Sequence, residues 1–316
     1  MNVPKRTIRY LRISVTNRCN LRCQYCMPKG YLEHASSDDI LSVDDIARVI
    51  DATAHLGIDT VRITGGEPLL RDDLVCIIKK ISSNPSIQQV AMTTNGSSLT
   101  TLASDLKKAG LTSVNISLDT LRRKRYHDIS GEDLLPDVLE GIAAAKKYFD
   151  NVKLNVVVMR HINDDEIIEF CRFALDHDLV IRFIEFMPNF DCTTDFLFPK
   201  SEMLDVIEKE FGSARPILKT FGLGPAKYYK AASIDIPFGI ISSVTSPSCD
   251  DCNRLRITAD GRLLPCLYAV KHYDLKEALK KNEDVLPLFL AAVHEKAIHS
   301  QPLTCRLSRN MVELGG

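Results

Sequence analysis

The chain has 316 residues, of which 45% are hydrophobic and 26% charged, and its formal net charge is -1. A balance so near zero excludes any general electrostatic pull toward nucleic acid or a membrane, so an anionic ligand has to be met by local cations. The length allows one large or two modest domains, and no stretch approaches the ~18 uninterrupted apolar residues of a membrane span.

The opening MNVPKRTIRYLRISV lacks the apolar run and cleavage site of a signal peptide, which reads as a cytoplasmic chain. In a reducing compartment, ten cysteines point to metal ligands, small buried hydrophobes or reactive thiols before disulfides.

From Tyr10 to about Glu185, short β-branched runs alternate with amphipathic stretches. YLRISV precedes SVDDIARVIDATAHLG, TVRIT precedes DDLVCIIKKIS, and QVAMTT precedes LTTLASDLKKAG. SVNISL then precedes LLPDVLEGIAAAKKYF, VKLNVVVM precedes DDEIIEFCRFALDHD, and VIRFIEF closes the series. Parallel strands need such helical crossovers, and Gly57 and Gly110 stand where two of the helices would end. Six units predict an α/β fold, an incomplete (β/α)6 TIM-like barrel with its ligand site at the C-terminal ends of the strands. A doubly wound open sheet is the competing arrangement.

After SEMLDVIEKEFG the pattern breaks into AKYYKAA, FGIISS and RLRIT–ADG–RLLP, the signals of hairpins in a smaller α+β region. Helical segments near Leu275 and over 285–298 close it. The expected division is a barrel over 1–212 and a C-terminal region over 213–316.

The first barrel strand leads into TNRCNLRCQYCMP, with Cys19, Cys23 and Cys26 within eight residues. Three is an awkward number for disulfides or a closed zinc site. Three soft thiolates can instead hold three irons of a cubane and leave the fourth open to a ligand. A three-cysteine zinc site borrowing His34 is the alternative. The spacing, with Tyr25 just before the last cysteine, resembles the signature of the radical S-adenosylmethionine (SAM) superfamily. The resemblance implies a 4Fe-4S cluster whose open iron is chelated by SAM, and reductive cleavage of SAM to a 5′-deoxyadenosyl radical that abstracts a substrate hydrogen.

TVRIT ends in Gly65, Gly66, Glu67 and Pro68, where paired glycines allow close backbone approach to a ligand. By the same resemblance, Tyr25, Gly66, Glu67 and Ser117 belong to the SAM site, and Glu67 faces the ammonium. Met187, in EFMP, would approach the adenine, and Thr93 or Thr94 the substrate. Read without it, these are turn, cap or core residues.

A second group, Cys249, Cys252 and Cys266, spans SPSCDDCNRLRITADGRLLPCLYA, and the hairpin signal between the last two would return Cys266 to the first pair. A second three-cysteine cluster fits better than a zinc ribbon completed by His272. CNLRCQYCMP, GGEPLLR, EFMP, CDDCNRLRITADGRLLPCL and the final Gly-Gly together resemble the GTP 3′,8-cyclase family of molybdenum cofactor biosynthesis over nearly the whole chain. That resemblance implies two 4Fe-4S clusters, SAM as cofactor and GTP as substrate, with guanine at the second cluster's open iron. The radical would remove the ribose 3′ hydrogen, and the ribose carbon would attack guanine C8, giving (8S)-3′,8-cyclo-7,8-dihydroguanosine 5′-triphosphate. It further implies an electron donor such as flavodoxin or ferredoxin and delivery of product to the next pathway enzyme, cyclic pyranopterin monophosphate synthase. A homodimer is compatible with it; nucleic acid and membrane partners are not expected.

A triphosphate carries roughly three to four negative charges and calls for several cations, which this chain supplies locally. Arg12, Arg62, Lys153 and Arg182 each stand at a strand that otherwise reads apolar, and Arg254 and Arg256 straddle Leu255 after Cys252. The family's substrate contacts map onto these residues, Leu255 and Thr93 included, with Arg254 and Arg256 also carried as catalytic beside Cys19, Cys23 and Cys26. The chain departs from the family at Asn17, where aspartate is common, and in NFDCTTDFLFP. Cys76, Cys171, Cys192 and Cys305 read as structural. Gly315 and Gly316 could thread a channel too narrow for side chains, and the resemblance implies that this tail reaches the active site. The competing functions are a radical SAM enzyme with one auxiliary cluster acting on a peptide or haem precursor, and a non-catalytic iron–sulfur or zinc redox sensor.

Overall fold

The six β-branched runs form parallel strands paired in chain order: β1 (Tyr10–Ser14), β2 (Thr60–Thr64), β3 (Gln89–Thr94), β4 (Ser113–Ser117), β5 (Val152–Val158) and β6 (Val180–Glu185). This computed structural model describes residues 7–27, 40–188, 194–222, 224–298 and 310–315. His34, Cys192, Cys305 and Gly316 lie outside them.

The crossovers are α1 (Val43–Ala54), α2 (Leu74–Ser82), α3 (Leu99–Lys108), α4 (Arg123–Ser130), α5 (Leu135–Tyr148) and α6 (Ile167–Asp176). Two of them begin or end for a plain local reason. A reciprocal capping box between Ser42 and Asp45 starts α1, and the left-handed Gly110 (φ 103) follows the end of α3. α4 was not anticipated because RKRYHDIS is almost wholly polar, and it buries only Tyr126, Ile129 and Ser130. On α2 the buried stripe is Leu74, Ile77, Ile78 and Ile81, so Cys76 falls off it and is exposed, contrary to the structural reading; Cys171 on α6 is buried as expected.

Beyond α7 (Lys200–Phe211) come β7 (Ala214–Ile217), β8 (Lys227–Ala231), β9 (Phe238–Ile241), β10 (Arg254–Ile257), β11 (Arg262–Leu264) and β12 (Tyr273–Asp274), then α8 (Leu275–Lys280), α9 (Leu286–Ile298) and α10 (Met311–Leu314). These strands extend the barrel's own sheet. β9 joins β6 in parallel and β10 joins β1 in parallel, so one open sheet runs β12-β11-β10-β1-β2-β3-β4-β5-β6-β9-β8-β7. β7–β8–β9 and β10–β11–β12 are antiparallel flanks of that sheet.

Alternation along the strands explains how an apolar-looking run carries cations. Leu11, Ile13, Val61 and Ile63 enter the core beneath the helices, while Tyr10, Arg12, Arg62 and Thr64 line the interior of the barrel. Arg12, Arg62 and Arg182 thus sit at mid-strand, inside. No helix among the described residues is long and apolar enough to cross a membrane.

The parallel pairing of β10 with β1 has a second consequence. Cys19, Cys23 and Cys26 follow the C-terminal end of β1, whereas Cys249 and Cys252 precede the N-terminal end of β10. The two triads therefore stand at opposite ends of the barrel, and a site confined to the C-terminal ends of the strands is too narrow a description.

Candidate active site

The loop after β1 brings Cys19, Cys23 and Cys26, all partly buried, to a cavity of about 1180 Å³. Its turn is closed by Cys26 N and Met27 N, which both donate to Cys23 O at 2.9 Å. The connection after β2 supports it: Gly66 N donates to Thr16 O and Glu67 N to Arg18 O, each at 2.7 Å. A Cβ on Gly65 would lie 2.7 Å from Thr16 O, and one on Gly66 2.2 Å from Arg18 O. The close approach that requires these glycines is therefore to the cysteine loop itself, while both also line the cavity.

Burial pushes the Cys23 thiol well up, helped by the charge of Asp119, and raises Cys26 to about 12, helped by Cys19. Thiolates form in such surroundings only against positive charge, which bound iron supplies. The buried Glu67 carboxylate accepts from Leu69 N at 3.0 Å, Thr94 Oγ1 at 2.6 Å and Asn95 N at 2.7 Å, and burial lifts its pKa to about 7. All three donors are neutral. A ligand ammonium would provide the balancing cation that this carboxylate lacks among the described residues.

Opposite Glu67, Tyr25 Oη donates to Asp119 Oδ2 at 2.6 Å, and Val157 N donates to Asp119 Oδ1 at 2.8 Å. Ser117, at the end of β4, lines the same region. Met187 is held from the other side by Tyr268, whose hydroxyl lies 3.7 Å from its sulfur and donates to Ser243 O at 3.0 Å.

At the far end the β10–β11 hairpin pairs Arg256 with Leu264 and brings Cys266 beside Cys249 and Cys252, as its turn signal predicted. Here the charge is of the other sign. Burial alone would raise Cys252, but Arg254 and Lys296 outweigh it and bring this thiol down to about 6. Lys296 Nζ, buried on α9, donates to Cys252 Sγ at 3.2 Å and to Pro265 O at 2.9 Å. Cys249 is raised by burial and then by its two partner thiols.

Among the described residues no three His, Cys, Asp or Glu are arranged to hold a single metal ion. His272 is exposed and outside the cavity lining, so it is not placed to complete a zinc ribbon. Three thiols facing one space suit a cubane, which bonds each to a different iron.

Between the ends lie the cations. Arg62 is anchored by Tyr10 Oη, Met92 O at 3.2 Å and Thr93 Oγ1 at 3.3 Å. Arg182 is buried, and its Nε and Nη2 have no hydrogen-bond partner among the described residues; Gly239 opposite it leaves room, since a Cβ there would meet Arg182 Cγ at 2.9 Å. Lys153 does not line the cavity. It is buried, with Arg182 and Arg62 as charged neighbours, and burial followed by their repulsion lowers it to about 7. Arg254 and Arg256 line the cavity, while Leu255 between them is fully buried in the core and faces away.

The chain's last described residues enter the same space. Arg12 Nε and Nη2 donate to Gly315 O at 3.2 and 3.0 Å, and Arg256 Nη1 donates to Leu314 O at 3.3 Å. Gly315 has φ 82, and a Cβ on it would lie 2.7 Å from Thr64 Oγ1. Tyr10, Asn115, Asp119, Asn155, Tyr268 and Lys296 are cavity residues that the sequence reading did not single out. Asp119 could have been noticed in NISLD, two residues after Ser117; nothing in the pattern of α9 marks Lys296.

Comparison with known proteins identifies the family. The profile of the radical SAM superfamily matches residues 13–174, and that of the molybdenum cofactor synthesis C region matches 179–304. GTP 3′,8-cyclases of Desulforamulus reducens and Thermodesulfovibrio yellowstonii are each 40% identical to this chain, over 98% of it and 98% of their own length. That of Campylobacter jejuni subsp. doylei is 42% identical over 88% of this chain and 86% of its own. Among solved structures, Streptococcus suis SuiB bound to S-adenosylmethionine superposes with a TM-score of 0.61 at 16% identity, covering 90% of this chain and 66% of that one. Native anSMEcpe with bound AdoMet gives 0.60 at 16%, covering 92% and 82%. At such identities these two show the fold alone, an open barrel of the radical SAM type.

Proposed function

The chain belongs to the GTP 3′,8-cyclase family of the radical SAM superfamily, and from that premise we propose how its cavity divides the work. Its activity is the cyclisation of GTP in molybdenum cofactor biosynthesis, with SAM and iron–sulfur clusters as cofactors. Cys19, Cys23 and Cys26 would hold the cluster that engages SAM, and Cys249, Cys252 and Cys266 the cluster that receives guanine. When bound, the first cluster and SAM supply the one-electron chemistry that removes the ribose 3′ hydrogen, after which the ribose carbon joins guanine C8.

The chain's own residues bind and orient. Glu67 and the backbone at Gly66 take the SAM ammonium, and Ser117 lies beside them. Tyr25, fixed by Asp119, and Met187, fixed by Tyr268, border the adenosyl group. Arg62, Arg182 and Thr93 meet the triphosphate from the floor and wall, with guanidinium forks matching phosphate oxygens, and Lys153, which does not line the cavity, adds its charge from behind them. Arg254 and Arg256 hold GTP beside the second cluster, and Arg12 is shared with the Gly315 tail. We assign the electron supply to flavodoxin or ferredoxin, the next step to cyclic pyranopterin monophosphate synthase, and the whole to the cytoplasm. Residues 1–212 and 213–316 are functional divisions, one for each cluster, built on a single sheet.

One observation carries this reading: both cysteine triads, and the Arg182 donors that find no partner among the described residues, open on the same cavity, with the triads at opposite ends. Anaerobic reconstitution with iron and sulfide tests it. About eight irons per chain, with SAM cleavage, is the expected outcome for two cubanes. Stoichiometric zinc without SAM cleavage would overturn it.

A further inference from the structure

The middle of the cavity carries polar groups that neither end uses. Asn115 on β4 and Asn155 on β5 both line it, and their carboxamide oxygens are buried without a hydrogen-bond partner among the described residues. Asn115 is itself almost fully buried, 3% exposed. A buried acceptor left unpaired is unfavourable unless a ligand completes it.

Register fixes where these two side chains stand. Asn155 is the direct neighbour of Ser117 on one side and of Arg182 on the other; Asn115 is the neighbour of Thr93 and of Lys153. Each is therefore one strand away from a phosphate-binding cation, and Asn155 is also one strand from the SAM side. The unpaired groups are of two kinds. Arg182 offers donors, which want a ligand's acceptors, and the asparagines offer acceptors, which want a ligand's donors. Phosphate oxygens satisfy the first and cannot satisfy the second. A carboxamide may turn its NH2 to a phosphate, but its oxygen still needs an O–H or N–H. The group that joins a triphosphate to donors within a few ångströms is the sugar of a ribonucleotide.

We propose that Asn115 and Asn155 form the ribose subsite, their Oδ1 atoms accepting hydrogen bonds from the 2′ and 3′ hydroxyls of GTP. The inference rests on the GTP reading above and deepens it. Hydrogen bonds at both hydroxyls fix the ring's rotation about its bond to the triphosphate, so the 3′ carbon is presented to the Ser117 end and to no other. They also make the site selective for ribonucleotides, because a deoxy analogue leaves a buried acceptor unpaired.

The test is equilibrium binding, not turnover, on the full chain reconstituted anaerobically with both clusters. The ligands are GTP, 2′-deoxyGTP, 3′-deoxyGTP and inorganic triphosphate. Wild type should bind GTP about tenfold more tightly than either deoxy analogue. Asn155→Leu and Asn115→Leu should each erase the penalty for one of the two hydroxyls, and triphosphate affinity should stay at the wild-type value in both. Deoxy analogues that bind wild type as tightly as GTP overturn the proposal with no variant needed. So do variants that keep the full wild-type preference. Loss of the preference together with loss of triphosphate binding would mean a collapsed pocket and would also count against it. If wild type binds triphosphate but not GTP, the GTP reading itself falls, an outcome distinct from failure of the ribose subsite alone.

Discussion

At the end of the cavity reached from β1, three thiols stand among the acid Asp119, the uncompensated carboxylate of Glu67 and neutral hydroxyls; at the end reached from β10, three thiols stand among Arg254, Arg256 and Lys296. The same donor set thus has acids beside it at one end and cations at the other. Burial first, then Cys19 and Asp119, push Cys26 up to about 12; Arg254 and Lys296 draw Cys252 down to about 6, although burial raises Cys249 beside it. The difference sorts ligands. SAM carries a sulfonium and an ammonium and belongs where acids have only neutral partners among the described residues, whereas GTP is a polyanion and belongs where cations gather. A protein of net charge -1 can hold both because its cavity carries acids at one end and cations at the other.

The strongest way to break this comparison is to remove one end at a time. Alanine at Cys19, Cys23 or Cys26 should abolish 5′-deoxyadenosine formation altogether. Alanine at Cys249, Cys252 or Cys266 should leave much of that reaction and eliminate conversion of GTP. Chromatography of both products from the same anaerobic incubation reads each half separately. If the two sets of variants lose both products in parallel, the ends are not functionally distinct.

Next in size is the cationic end. Arg254→Ala and Arg256→Ala should each weaken GTP binding by roughly 1.5–3 kcal/mol, the range for losing a charge-assisted hydrogen bond, with SAM affinity held. Equal losses for the two ligands would mean that the arginines shape the barrel and do not sort charge.

The tail sharpens the same contrast from within, because its carbonyls occupy Arg12 and Arg256. Gly315→Ala places a side chain in a left-handed conformation, which costs roughly 1–2 kcal/mol, and against Thr64 Oγ1. Both effects displace the tail. GTP conversion should fall about tenfold while SAM cleavage persists; unchanged cyclic product per 5′-deoxyadenosine would show that the tail does not support the cationic end.

Much of this was legible in the chain, and what escaped did so for physical reasons. Periodicity marked the six barrel strands and five of their helices, because strands covered by helices must alternate with amphipathic crossovers. The spacing of Cys19, Cys23 and Cys26 carried the first site because three ligands on one loop need no tertiary information. The hairpin returning Cys266 was likewise local. The docking of β10 beside β1 was not readable, since nothing in RLRIT states which edge it joins, and that pairing alone puts the second triad at the opposite end. Lys296 was hidden because a helical lysine ordinarily points to water. Cys76 was misjudged because it stands between two buried positions of its helix, Leu74 and Ile77, yet falls off the stripe they form.

The smallest effect concerns Lys153, which lies beneath the cavity floor with Arg62 and Arg182 as its charged neighbours and a pKa lowered to about 7. A bound triphosphate favours the ammonium, so the pKa rises on binding. The sign follows from linkage: a group whose bound-state pKa exceeds its free value contributes fully below the free pKa, near 7, and its contribution is lost as pH rises above it. GTP affinity should therefore fall between pH 7.5 and 9, by at most about tenfold per pH unit, with net proton uptake on binding. In that window the phosphates are already ionised, which keeps their own titration out of the slope. Lys153→Arg should keep tight binding and flatten the profile, because a guanidinium stays charged throughout; Lys153→Met should flatten it at weaker affinity. Calorimetric titrations in buffers of different ionisation enthalpy measure the proton uptake directly. A flat wild-type profile with no uptake would mean that Lys153 stays neutral under the triphosphate, leaving Arg62 and Arg182 as the cations of the middle of the cavity.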